Sequence, residues 1–283
     1  MPVPPLDLPS AALLSPALVD RLRAAGCVFA EEEAHLLACT ARTPAQLAVM
    51  VDRRVSGLPL EQVLGWARFH GLRVVLEPGV FVPRRRTEFL VRQAAALARS
   101  ASAGSASAGS SSAGPRTVVV DLCCGSGAVA AALAVELPGT ECHAVDIDPV
   151  AVRCARRNLP AGGRAYLGDL YTPLPPRLLG RVDVLVANAP YVPTGSLGLL
   201  PPEAREHEPR VALDGGEDGL AVQRRVAAGA SRWLAPGGVL LVETSERQAA
   251  GTAEAVARGG LTATSTTCEE LDATVVVGRL PAA

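Results

Sequence analysis

The sequence predicts an α/β fold built on a mostly parallel sheet, and three observations carry that prediction. From Thr117 onward, short apolar runs alternate with helix-length stretches, the signature of repeated βαβ units with helices on both faces of a sheet. A glycine-rich loop, Asp121-Leu122-Cys123-Cys124-Gly125-Ser126-Gly127, follows the first run and opens a helix. Later, Val184-Leu185-Val186-Ala187 stops abruptly at Asn188-Ala189-Pro190-Tyr191, the pattern of a buried strand whose carboxyl end faces a ligand crevice.

Residues 1–60 read as a small N-terminal helical domain. Its first ten residues are Pro-rich and irregular, and helix-spaced apolar positions begin at Ala17-Leu18-Val19. Glu31-Glu32-Glu33 stands before Ala34, where negative charge suits the positive end of a helix dipole. A further helix runs from Pro44 to Val55, with Thr43 as N-cap, Pro44 at the first helical position and Gly57 beyond the end. Residues 61–83 read as a β-hairpin connector: Arg68–Leu76 and Glu77–Val82, turning at Pro78-Gly79.

Residues 84–283 form the α/β domain. Pro83-Arg84-Arg85-Arg86-Thr87-Glu88 leads into a helix ending near Arg99, and the arginines read as a solvated turn before a site. Residues 100–114, all Ser, Ala or Gly, have no large side chain to bury and read as a flexible insertion. Strands and helices then alternate: Val118–Val120, Ala128–Leu137, Cys142–Val145, Pro149–Asn158, Arg164–Leu167 and Val182–Ala187. After a Pro-rich, charged connection (192–218) come a helix, Leu220–Leu234, and a fifth strand, Gly238–Glu243. Leu261–Thr266 and Ala273–Gly278 bring the strands to seven.

Composition narrows the function. With 49% hydrophobic and 19% charged residues the chain is not largely disordered, and its apolar runs are shorter than the roughly 18 residues of a membrane span. A net charge of −1 advertises neither nucleic acid nor membrane. Seven cysteines contain no C-x-x-C pair and share no metal-ligand spacing with the four histidines, so they read as reduced thiols, with no metal and a cytoplasmic location expected.

Gly125-Ser126-Gly127-Ala128-Val129-Ala130 also fits the G-x-G-x-x-A dinucleotide fingerprint, so an NAD(P) enzyme is a rival at this point. Asp121 separates the two readings. A carboxylate there suits a cationic amino-acid end and gains nothing beside a pyrophosphate. Asp146, 21 residues past Gly125, suits a bidentate grip on ribose hydroxyls, whereas Asp148 reads as the cap of the helix begun by Pro149. Asp169, closing the third strand, reads by itself either as a turn aspartate or as an acid placed to touch an adenine amino group, and the order of the strand ends favours the second. In order, the four strand ends carry a glycine loop with its acid, a ribose acid, an adenine acid and Asn-x-Pro-Tyr.

Over residues 45–280 the chain resembles the class I S-adenosylmethionine methyltransferases and, within them, the HemK-like protein-(glutamine-N5) methyltransferases that modify peptide chain release factors. The resemblance rests on Phe69-x-Gly71-Leu72, Val82-Pro83-Arg84 with Thr87-Glu88, Asp121 to Gly127, Val145-Asp146-Ile147-Asp148-Pro149, Gly168-Asp169, Asn188-Ala189-Pro190-Tyr191, Glu208-Pro209, Gly215-Gly216 and Leu234-x-Pro236-Gly237-Gly238. It implies a Rossmann-like domain with S-adenosyl-L-methionine held by Asp121, Cys123, Gly125, Gly127, Asp146, Ile147, Asp169, Leu170 and Asn188. It also implies an acceptor site of Asn188, Ala189, Pro190 and Tyr191, in which the Asn188 side-chain oxygen and the Ala189 carbonyl accept from a target NH2 and the Tyr191 ring packs on its plane. Arg84 and Thr87 join Asn188 and Tyr191 as substrate-binding candidates. The implied partner is a protein, a release factor, acted on by a monomer.

Two positions depart from the family. Ala189 replaces the first proline of Asn-Pro-Pro-Tyr, which removes a fixed φ near −65°. Arg85-Arg86 replaces a Pro-acid pair and changes the charge at the entrance. The reaction expected is methyl transfer to a glutamine side-chain amide. Alternatives are an adenine amino group in nucleic acid, with Tyr191 stacked on a flipped base, and a non-catalytic protein-binding module that keeps the fold.

Overall fold

A computed structural model describes residues 15–105 and 116–282. Four helices open it: α1 (Pro16–Ala24), α2 (Ala30–Thr40), α3 (Pro44–Val55) and the short α4 (Leu60–Leu64). The Ser15 side chain accepts from the Leu18 N–H and that of Thr43 from the Gln46 N–H, each followed by proline at the start of its helix, so both caps satisfy otherwise orphaned donors. Glu31, Glu32 and Glu33 fall in the first turn of α2, and Leu22, Leu37, Met50 and Val51 meet in one apolar cluster. The irregular segment expected at residues 1–10 lies outside the described residues.

The connector differs from expectation in its turn. Strands β1 (Trp66–Phe69) and β2 (Leu72–Val75) pair antiparallel with Phe69 opposite Leu72, so the reversal occurs at His70-Gly71 and not at Pro78-Gly79. His70 and Gly71 take φ of 48° and 74°, the two left-handed residues of the tight turn whose twist matches a hairpin. Pro78-Gly79 makes a later turn, and Val80–Val82 run on without strand pairing. The Pro-Gly breaker is the louder local signal, but hairpin register follows the tighter loop.

The α/β domain comprises α5 (Glu88–Ser105), β3 (Val118–Leu122), α6 (Ala128–Glu136), β4 (Glu141–Asp146), α7 (Pro149–Asn158), β5 (Arg164–Leu167), β6 (Val182–Ala187), α8 (Pro202–His207), α9 (Ala221–Trp233), β7 (Leu234–Thr244), α10 (Ala249–Arg258), β8 (Thr262–Cys268) and β9 (Ala273–Arg279). Helix α5 continues past Arg99 to Ser105, since the Ala-rich sequence favours helix. The insertion expected at 100–114 therefore starts inside a helix, and its residues 106–114 lie outside the described residues. Helix α10 was not anticipated. Gly251 and Thr252 weaken its local pattern, and burial of Thr252, Ala255 and Val256 against the sheet secures it.

The sheet order is β5-β4-β3-β6-β7-β9-β8, parallel except at β9 and β8. Alternate residues serve two cores: Val119, Val184 and Val186 face α5 and α6, while Val120, Leu122 and Leu185 face α9 and α10. Truncating fully buried Leu185 to Ala would cost about 2–5 kcal/mol. Strands β3 and β6 are neighbours, with Leu122 opposite Ala187; from β3 the order runs outward through β4 and β5 on one side, and from β6 through β7 on the other. That reversal opens a crevice at their carboxyl ends. Among the described residues, no helix is long and apolar enough to cross a membrane.

Candidate active site

A cavity of about 940 Å³ occupies the crevice. At its base, Asp121 is 2% exposed and its Oδ2 accepts the Ala130 N–H at 3.1 Å. Burial, reinforced by the neighbouring Asp146 charge, pushes its carboxyl up to about 8, against the opposing Ala130 N–H. Asp146, at the end of β4, accepts the N–H of Gly125 at 2.8 Å and of Asp148 at 2.9 Å. Burial raises its carboxyl too, opposed by those N–H groups. Asp148 caps α7 through the Val150 N–H at 2.8 Å. Asp169, after β5, pairs with Arg225 at 2.5 Å.

Two non-glycine residues here adopt left-handed backbone, Cys123 at φ 57° and Leu170 at φ 46°. Such conformations cost on the order of 1 kcal/mol or more and persist where surrounding structure imposes them, commonly at ligand loops. Ile147 projects at the same rim, 53% exposed. Gly127 is the one predicted residue that does not line the cavity. A Cβ there would lie 3.0 Å from that of Ala155, so this glycine lets α7 approach the loop.

The acceptor half lies at the end of β6. Asn188 donates from Nδ2 to Thr87 Oγ1 at 3.2 Å, which leaves its Oδ1 as the uncommitted acceptor. Ala189 is buried beside it and Pro190 follows; a Cβ on Gly215 would come within 2.7 Å of the Pro190 carbonyl oxygen, so the loop needs a glycine there. Tyr191 is held by its main-chain oxygen, which accepts from Gln248 Nε2 at 2.9 Å. Burial, and then the nearby Glu243 charge, push its hydroxyl up to about 12.

A roof closes over both halves. The Arg84 guanidinium reaches both Glu208 oxygens at 2.7 Å and stacks over Phe81, while the Val82 N–H donates to Glu208 at 3.1 Å. Arg54 ties the helical bundle to this roof. It donates to Glu33 and to Glu203, each at 2.6 Å.

Glu208, Gln248 and Glu243 were not singled out as site residues from the sequence. Glu243 had a legible signal, because an acid ending an apolar strand is the pattern that marked Asp121. The pairing of Glu208 with Arg84 spans 124 positions and leaves no local trace.

Asp121 beside the glycine loop suits a cationic group and gains nothing from a pyrophosphate, while Asp146 suits sugar hydroxyls, so the donor set fits S-adenosylmethionine better than a dinucleotide. The side-chain oxygen at the fourth strand end can orient an N–H2 group.

A family model described as "Methyltransferase small domain" matches residues 110–197. A release factor glutamine methyltransferase from Streptomyces coelicolor is 41% identical over 201 residues, covering 70% of this chain and 67% of that protein. One from Moorella thermoacetica is 37% identical over 253 residues, covering 81% and 83%. A 4-amino-L-phenylalanine/4-methylamino-L-phenylalanine methyltransferase from Streptomyces pristinaespiralis is 40% identical over 201 residues, covering 71% and 65%.

Proposed function

The chain belongs to the release factor glutamine methyltransferase family, and from that premise we propose that it methylates the side-chain amide nitrogen of a glutamine in a peptide chain release factor. S-adenosyl-L-methionine is the cofactor, and when bound it supplies an electrophilic methyl group on a sulfonium centre. Asp121 would meet its cationic amino-acid end and Asp146 its ribose hydroxyls, and Asp169, one of whose oxygens pairs with Arg225, would reach its adenine edge with the other; Gly125 would admit close backbone approach and Cys123, Ile147 and Leu170 would wall the pocket.

An amide nitrogen is a poor nucleophile because its lone pair is delocalised into the carbonyl. Asn188 Oδ1 and the Ala189 carbonyl accept its two N–H bonds and turn the lone pair toward the methyl group, while Tyr191 packs on the amide plane. As the N–C bond forms the C–S bond breaks and the donor leaves as a neutral thioether; the methylated nitrogen is then strongly acidic and releases one proton to water, so no strong base is needed. Orientation of this kind is worth on the order of 7 kcal/mol. The observation that carries the reading is the Asn188–Thr87 hydrogen bond, because it presents an oxygen to the acceptor at the mouth of the cofactor crevice.

A second reading is favoured by the relative named for 4-amino-L-phenylalanine, together with Ala189 at the family's proline: an arylamine nitrogen would accept the same two hydrogen bonds. A nucleic-acid acceptor is weaker, because Arg84 is spent on Glu208 and Arg86 leans toward Glu243, which leaves a poor phosphate patch. The test is transfer of labelled methyl from the cofactor to candidate release factors and to 4-aminophenylalanine, with the mark located by mass spectrometry. A mark on glutamine that is lost in Asn188→Ala supports the first reading. Transfer to the arylamine alone overturns it.

A further inference from the structure

Glu243 stands out from the other acids among the described residues. It is the next-to-last residue of β7, beside the acceptor loop, is 2% exposed, and neither carboxylate oxygen has a partner at hydrogen-bond geometry. Its neighbours are nonetheless specific. The hydroxyls of Thr87 and Tyr191 lie beside it, and Arg86 Nε is 3.8 Å from Oε1. A buried carboxylate without full partners costs several kcal/mol, and burial raises the carboxyl above the usual range. Val239 and Leu241, on the same face of β7, are both aliphatic, so an acid at this position departs from the pattern of its own face.

The same hydroxyl that faces Glu243 also receives Asn188 Nδ2. A threonine hydroxyl has one proton to give. If that proton points at Glu243, only lone pairs remain for Asn188, so the asparagine must turn its NH2 toward Thr87 and its oxygen toward the cavity. Without the acid, the hydroxyl can rotate and donate to Asn188 Oδ1. The amide then flips and presents a donor where the acceptor N–H2 needs an oxygen.

We propose that Glu243 and Thr87 are positioning residues for methyl transfer: the carboxylate orients the Thr87 hydroxyl, which fixes the flip of the Asn188 amide, and it anchors the Tyr191 hydroxyl from the same side. This rests on the reading of Asn188 as the group that orients the nucleophile. Glu243 does not touch the acceptor. It sets the polarity of the residue that does.

The test compares Glu243→Gln, Thr87→Val and Thr87→Ser in the full chain. The first two each lower kcat by about tenfold to a hundredfold while the Kd for S-adenosylmethionine stays near wild type and the Tm does not fall; Thr87→Ser stays within about twofold; and the Glu243→Gln/Thr87→Val double variant is no worse than the poorer single, as expected for one coupled unit. Additive losses, or a kcat loss matched by weaker cofactor binding, overturn the proposal.

A second readout needs no acceptor. The Asn188 side-chain NH2, identified in 15N spectra by its loss in Asn188→Asp, exchanges slowly with solvent in the wild type and faster in Thr87→Val and Glu243→Gln. Exchange unchanged in both variants overturns the relay. Slow exchange lost in both variants supports it even if the wild type marks no glutamine, in which case the proposed substrate alone falls.

Discussion

Gln248 Nε2 donates to the main-chain oxygens of Tyr191 at 2.9 Å and Asp218 at 3.1 Å, so one amide from the turn before α10 pins both the acceptor loop and the glycine turn packed on it. A Cβ on Gly219 would fall 2.3 Å from the Tyr191 oxygen, which shows how tightly the two segments are pressed.

Gln248→Ala leaves two carbonyl oxygens short of a donor and should cost about 1–3 kcal/mol of stability. Turnover should fall further than the loss of stability explains, because the loop carrying Asn188 and Tyr191 loosens. Calorimetric melting and single-turnover methyl transfer measure the two effects separately; equal turnover in wild type and variant would show that the loop is held by its own packing.

Cofactor binding should release a proton near neutral pH. The Asp121 carboxyl titrates near 8 in the folded chain against 3.8 for an ordinary aspartate, so between those values the unfolded chain carries fewer protons. Stability of the free protein therefore declines as pH rises across that window, and affinity for a cationic ligand rises with it by up to about tenfold per pH unit. Titration calorimetry in buffers of different ionisation enthalpy counts the proton, and Asp121→Asn should abolish both trends. A pH-independent Kd for the wild type would refute the assignment.

Asp146→Ala should weaken S-adenosylmethionine by on the order of a hundredfold, since it removes charged acceptors from ribose hydroxyls and frees the Gly125 N–H. Asp148→Ala is the control. It loses an N-cap worth about 1 kcal/mol and should leave cofactor affinity nearly intact. Equal losses of affinity in the two variants would mean that the effect is loop collapse.

Arg84→Met should be among the more damaging surface-facing changes. Glu208 is fully buried at its side chain, and removing its cation leaves a lone buried carboxylate, a loss of about 3–5 kcal/mol. Arg84→Met/Glu208→Gln should recover part of that stability. A raised KM for the protein acceptor with an unchanged Tm would instead give Arg84 the direct substrate role implied by its motif.

Strand and helix order in the α/β domain was legible because period and punctuation agree there: Val182–Ala187 is apolar throughout and stops at Asn188. Asp121, Asp146 and Asp169 were legible for the same reason, each sitting where a strand runs out. The hairpin turn was misplaced because His70 carries no turn signature of its own; its left-handed backbone is imposed by Phe69 pairing with Leu72. Helix α10 was invisible because its reason for being helical lies in the sheet beneath it. The partners of Arg84 and Tyr191 come from segments remote in sequence, and no local reading joins Arg84 to Glu208 or Tyr191 to Gln248.

Arg54 is a single cation shared between two acids 170 positions apart in the chain, Glu33 in α2 and Glu203 in α8. This makes the N-terminal bundle a poor candidate for removal. A chain cut before Leu60 would lose more than a surface: it would strip Glu203 of its counter-charge and slacken the roof segment that continues to Glu208. A bundle exchanged for one without a cation at position 54 would leave both Glu33 and Glu203 without this counter-charge, so the junction and α8 answer to the same side chain.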